Sequence, residues 1–90
     1  MDINLFIKHV YRILPIYENC RINRDYSNYI QTIDYSIEEM SIYKENKVIN
    51  KIIECLAELK EYHDYNHYNV RKIVFYCLKK LEILKNTKVE

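Results

Sequence analysis

The sequence predicts an all-α protein, a compact four-helix bundle in a single domain spanning residues 1–90, and three observations carry that expectation. Apolar residues recur at steps of three and four along most of the chain, the spacing of one helical face. There is no glycine, so helix ends must turn to asparagine, the next residue tolerant of left-handed backbone. Asn19, Asn46, Asn66 and Asn86 each follow a periodic apolar segment and divide the chain into four. Finally, the last two segments mirror each other about Asn66. The expected helices are 3–18, 26–45, 47–65 and 68–86, with five or more if the chain breaks at Pro15 or Ser36.

In the first helix Asp2 is the N-cap and Ile3, Phe6, Ile7, Val10, Leu14 and Tyr17 form the inward stripe, with Lys8 and Arg12 opposite. Pro15 lacks an amide donor and clashes with the carbonyl four residues back, which predicts a kink or an end near Leu14. Residues 18–25 read as a loop. The second helix buries Tyr26, Tyr29, Ile30, Ile33, Ile37 and Met40. Ser36 and Glu39 have the spacing of a capping box, yet the apolar phase runs unbroken across them, which favours one helix.

The third helix presents Val48, Ile52, Cys55, Leu56, Leu59 and Tyr62, and the fourth Val70, Ile73, Val74, Cys77, Leu78, Leu81 and Leu84. Folding them back about Asn66 sets Tyr62 opposite Val70, Leu59 opposite Ile73, Cys55 opposite Cys77, Ile52 near Leu81 and Val48 near Leu84. Every rung is apolar on both sides. The run 70–78 is rich in strand-forming residues, but its period is nearer 3.6 than 2 and no second strand exists to pair with it. Two facing helix axes normally lie 8–10 Å apart, wider than a disulfide spans, so Cys55 and Cys77 are expected as free thiols in contact.

Composition bounds the function classes. With 49% hydrophobic and 30% charged residues the chain is outside the disordered class. It has no apolar run of membrane-spanning length and no signal-peptide pattern, so a cytoplasmic location is expected, in a bacterium or in a host cell if the protein is viral. Three cysteines, an odd number with two on core faces, suit a reducing compartment. Ile, Lys, Asn and Tyr make up 43 of the 90 residues, against one Ala, one Pro and four Arg, which is the usage of an AT-rich genome. Without glycine, phosphate-cradling loops and dinucleotide fingerprints are excluded.

No catalytic, cofactor or metal constellation stands out. Glu61, His63, Asp64 and His67 have partial metal-ligand spacing, but Asn66 ends the helix between the histidines. Cys20, in the expected loop beside Arg21, is the one thiol with an electropositive, open setting, and it lacks an obvious base. No enzymatic activity is expected.

Charge is unevenly placed. Residues 25–45 carry five acids against Lys44, a net of −4, and residues 68–90 carry six bases against Glu82 and Glu90, a net of +4. One explanation is that helices two and four are neighbours whose flanks complement each other. The other is that each patch faces a partner of opposite sign. Two outward stripes fit the second explanation: Lys72, Tyr76, Lys79 and Ile83 on helix four, and Tyr35, Glu39 and Ile42 on helix two. Tyrosine is favoured at protein interfaces for its large area and low entropy cost. The expectation is a small protein-binding modulator of inhibitor, immunity or antagonist type, from a phage, plasmid or virus, acting on another protein or as a homodimer. The alternative is a nucleic-acid-binding regulator using the basic C-terminal helix, disfavoured by a near-neutral charge balance.

Overall fold

The computed structural model describes residues 1–61 and 67–87, which form four helices and no strand. They are α1 (Ile3–Asn23), α2 (Ser27–Ser41), α3 (Lys47–Leu59) and α4 (His67–Thr87). α1 packs on α2 and α4, and α3 packs on the same two. α2 and α4 lie on one diagonal of the bundle, α1 and α3 on the other. The short links force successive helices to run antiparallel.

α1 starts as predicted, the Asp2 carboxylate accepting the Leu5 N–H at 3.1 Å. It does not end near Leu14. The helix passes through Pro15 and continues to Asn23, so the segment expected as a loop is mostly helical. Proline costs least where the carbonyl it frees can turn to water. Pro15 is exposed, and so is Tyr11, the residue four back. The inward stripe also continues, because Ile13, Tyr17 and Cys20 are all buried. Asn19 is mid-helix rather than a cap. The left-handed residue that stops α1 is Arg24 (φ 61°, ψ 36°), and the N–H groups of Arg24 and Asp25 both donate to the Cys20 carbonyl.

The Asp25 carboxylate accepts from both the N–H and the hydroxyl of Ser27, at 3.1 and 2.8 Å, and fixes the entry to α2. Those two bonds hold its carboxyl below the usual range. α2 runs through Ser36 unbroken, as the continuous apolar phase predicted. Ser36 is buried, with its hydroxyl donating to the Thr32 carbonyl at 3.0 Å, so the polar side chain is satisfied inside the helix. α2 ends at Ser41 rather than 45, and tight bonds from Tyr43 to Met40 and from Asn46 to Tyr43 carry the chain to the next helix. Asn46 is extended (φ −73°, ψ 123°), and its side chain accepts from Val48 and Ile49 at 2.9 and 3.2 Å. It begins α3 instead of closing α2.

α3 stops at Leu59, six residues earlier than predicted. Lys60 and Glu61 tighten the last turn, and the buried Tyr29 hydroxyl donates to the Leu59 carbonyl at 2.7 Å. Reaching across from α2, this phenol satisfies one of the carbonyls that a helix end leaves without a partner. α4 begins one residue before its predicted start, includes Asn86 and is helical over 70–78. Tyr62, His63, Asp64 and Asn66 lie outside the described residues, as do Lys88 and Glu90.

The core is one cluster drawn from all four helices. On the α1–α2 side it mixes Val10, Ile13, Ile33 and Met40 with rings: Tyr17, Tyr26 and Tyr29 meet with ring centroids 5.1–6.1 Å apart, and Phe6 lies 5.9 Å from Tyr43. On the α3–α4 side it is aliphatic, with Ile49, Ile52, Leu56 and Leu59 facing Val70, Val74, Cys77 and Leu81. Cys55 and Cys77 are free thiols within hydrogen-bond reach of each other, as the mirrored register predicted.

The diagonal placement of α2 and α4 corrects one expectation. Their acidic and basic flanks do not complement each other as neighbours, because α1 and α3 stand between them. Lys60 pairs with Asp34 at 2.7 Å, linking the end of α3 to α2.

Candidate functional site

Lys72, Tyr76, Lys79 and Ile83 all lie on the solvent side of α4, away from Val70, Val74, Cys77 and Leu81. A helix advances 100° per residue, so positions 72, 76, 79 and 83 fall within a stripe about 60° wide. Tyr76 is 38% exposed and Ile83 53%. The Lys80 ammonium sits 5.5 Å from the centre of the Tyr76 ring, and the attraction between a cation and the ring face steadies both groups.

α3 contributes to this surface in a way the sequence stripe did not reveal. Lys47, Val48 and Lys51 meet Tyr76 and Lys80 around a recess of about 170 Å³. Val48 and Tyr76 supply its apolar lining, and three lysines share it. Lys51 approaches Glu54 on its own helix at 4.0 Å, a solvent-exposed contact of little energy. Spacing on α4 alone could not place the lysines of α3 beside it; only the packed pair does so.

On the diagonal, Tyr35 is 49% exposed and its ring meets His9 of α1 edge-on, 5.1 Å between centroids. Glu39 is half-buried. Ile42, expected within helix two, lies in the turn that follows α2 and is 78% exposed. Beside Tyr35 a shallow groove of about 550 Å³ runs between α1 and α2, lined by His9, Arg12, Asn28, Gln31 and Thr32. His9 is buried with its Nε2 unpaired among the described residues.

Two exposed rings on α4 escaped the sequence reading. Phe75 (53% exposed) and Tyr68 (70%) lie seven residues apart on a second outward strip. Phe75 was hidden by the apolar run around it. Its position one residue beyond buried Val74 turns it 100° from the core, and that angle was the available signal.

Cys20 does not have the open setting expected of it. It is 4% exposed in the last turns of α1, near the Tyr17–Tyr29 rings, and not in a loop. Burial raises the Cys77 thiol and, to a lesser extent, Cys55, which keeps both protonated and poorly nucleophilic at neutral pH. Of the four residues with partial metal-ligand spacing, Glu61 and His67 are described, and no group of three potential ligands gathers among the described residues. No helix among them is long and apolar enough to cross a membrane.

Compared with known proteins, the chain matches no family model, no curated protein and no solved structure.

Proposed function

We propose that this protein acts by occupying a surface of another protein with the outer side of α4. The observation that carries the reading is the exposed Tyr76–Ile83 stripe set between Lys72 and Lys79, with the Val48 recess beside it. A half-exposed tyrosine and isoleucine next to an apolar recess offer the anchor contacts that dominate protein interfaces, while the lysines steer an acidic partner and set its orientation. The small size and AT-rich residue usage suit an inhibitor, immunity protein or antagonist from a phage, plasmid or virus, working in the cytoplasm.

Affinity capture from the native host, with parent and variant proteins side by side, tests this. Tyr76→Ala and the pair Lys72→Glu/Lys79→Glu are expected to lose a specifically captured protein while far-UV circular dichroism stays unchanged. Capture by all three alike removes α4 as the binding surface. A nucleic-acid regulator would instead bind random-sequence DNA with an affinity that falls linearly in log–log against salt. The exposed bases of α4 favour that test, and absence of DNA binding at low salt rejects it.

A further inference from the structure

The diagonal arrangement leaves two outward faces of opposite charge that one copy cannot bring together. Residues 68–87 carry Arg71, Lys72, Lys79, Lys80 and Lys85 against Glu82 alone, and residues 25–45 carry five acids against Lys44. Of those acids Asp34 is paired with Lys60, and Asp25 is engaged with Ser27. Among the described residues, no ion pair engages Glu38, Glu39 or Glu45, nor Lys72 or Lys79.

The apolar groups repeat the correspondence. Tyr35 and Ile42 are seven residues apart on the acidic side, and Tyr76 and Ile83 are seven apart on the basic side. Both pairs are exposed. Seven residues is nearly two helical turns, so Tyr76 and Ile83 project about 10 Å apart along one side of α4, while Ile42 stands in the turn just beyond the helix that carries Tyr35. Ile42 is the most exposed of the large hydrophobic side chains among the described residues, and the recess of about 170 Å³ beside Val48 has Lys47, Lys51 and Lys80 in its lining, cations that match the acids near Ile42.

We infer that copies of this chain associate head to tail, the acidic α2 face of one seated on the basic α4 face of the next, with Ile42 entering the Val48–Tyr76 recess. The inference rests on the reading of the α4 outer side as a binding surface, and it names a second copy as an occupant. Because the two faces point away from opposite corners of the bundle, the contact does not satisfy itself within a pair. It leaves a free face at each end, and a contact of that kind extends into open chains instead of stopping at a symmetric dimer. Arg12 borders the α1–α2 groove beside Tyr35, so the acidic face is centred on Glu38, Glu39 and Glu45.

Sedimentation and light scattering of the full chain over a range of concentrations test this. At low salt the average mass is expected to climb past that of a dimer without a plateau, and to fall toward the monomer as ionic strength rises to about 0.15 M, where charges are screened beyond about 8 Å. Lys72→Glu/Lys79→Glu removes one face, and Glu38→Lys/Glu39→Lys removes the other. Each variant alone is expected to be monomeric, or to associate far more weakly, with unchanged helicity. At low salt, an equimolar mixture of the two double-reversed variants is expected to associate again, because the intact acidic face of one meets the intact basic face of the other and the two reversed faces are also opposite in charge. Ile42→Ser, which changes no charge, is expected to weaken the parent's self-association at least several-fold. A parent that stays monomeric at low salt, one that stops at a dimer, or a mixture that fails to pair overturns the inference. None of those results touches capture of a foreign protein through Tyr76, so the two readings fail separately.

Discussion

The two halves of the bundle are closed by different materials. Where α1 meets α2, the rings of Tyr17, Tyr26 and Tyr29, with Phe6 against Tyr43 at the far end, pack beside Val10, Ile13, Ile33 and Met40. Where α3 meets α4, the inner surface is valine, leucine, isoleucine and two thiols, while Tyr68, Phe75 and Tyr76 all point outward. In α3 and α4 every valine, leucine and isoleucine except Ile83 is at least half-buried, so their spacing reports the buried face directly. Tyrosine serves both inside and outside, and this protein uses it both ways. The aromatic half therefore holds its structure through directional contacts that spacing does not reveal, the Tyr29 bond to Leu59 first among them.

That contrast is sharpened most strongly at Tyr29. Tyr29→Ala removes a fully buried ring and the bond that finishes α3, and is expected to destabilise the fold by about 3–5 kcal/mol in urea unfolding. Tyr29→Phe keeps the ring and strands the buried carbonyl, with an expected loss of about 1–3 kcal/mol. Should the two variants cost the same, the hydrogen bond rather than the ring closes that half. Next in size is Pro15→Ala, expected to stabilise by about 1–3 kcal/mol, since it restores an amide donor in the middle of α1 and relieves the clash with the Tyr11 carbonyl. A loss of stability there would mean that Pro15 fixes a bend the aromatic packing needs.

In the aliphatic half the matching probe is alkaline pH. Burial, followed by the neighbouring Cys55, raises the Cys77 thiol well above its ordinary value. The folded state therefore keeps a proton that the unfolded chain releases from about pH 8.5 upward. The contribution of this thiol is expected to be constant below that pH and to decline above it. Cys77→Val, close in volume, is expected to flatten the decline between about pH 8.5 and 10; an unchanged slope would assign it elsewhere. Above about pH 10 the raised Tyr29 phenol adds a loss of the same sign from the aromatic half.

The smallest effects are at the links. Asn46→Ala removes the acceptor for two N–H groups at the start of α3 and is expected to cost about 1 kcal/mol. Arg24→Gly relieves a left-handed residue carrying a Cβ and is expected to gain up to about 1 kcal/mol. Both are read from thermal or urea midpoints.

In the aliphatic half the Cys55–Cys77 rung was legible, but the α3 stripe was not wholly so: Ile49, which the sequence reading left out, is buried, and Val48, which it placed inward, is half-buried and lines the surface recess. In the other half the inward stripe through Tyr17 was legible, but Pro15 and the polar letters after it concealed that Cys20 continues it. Asparagine marked the right neighbourhoods for the wrong reason: Asn46 starts a helix, and an arginine supplies the left-handed turn. Which helices adjoin was beyond periodicity, because a face angle says what points inward and not which neighbour stands there. The charge distribution consequently invited α2 and α4 to be paired, whereas they are diagonal. The stripe on α4 was legible because it needs one helix only; the lysines of α3 that complete the recess needed the packed structure.

The ring of contacts α1–α2–α3–α4 has a kinetic corollary. Three of its four seams join helices consecutive along the chain, so each can zip from a local hairpin with little loss of chain freedom. The fourth, α4 against α1, must wait for nearly the whole length to be gathered. Folding of this protein is therefore expected to be fast and local at first, with the α1–α4 seam sealing last.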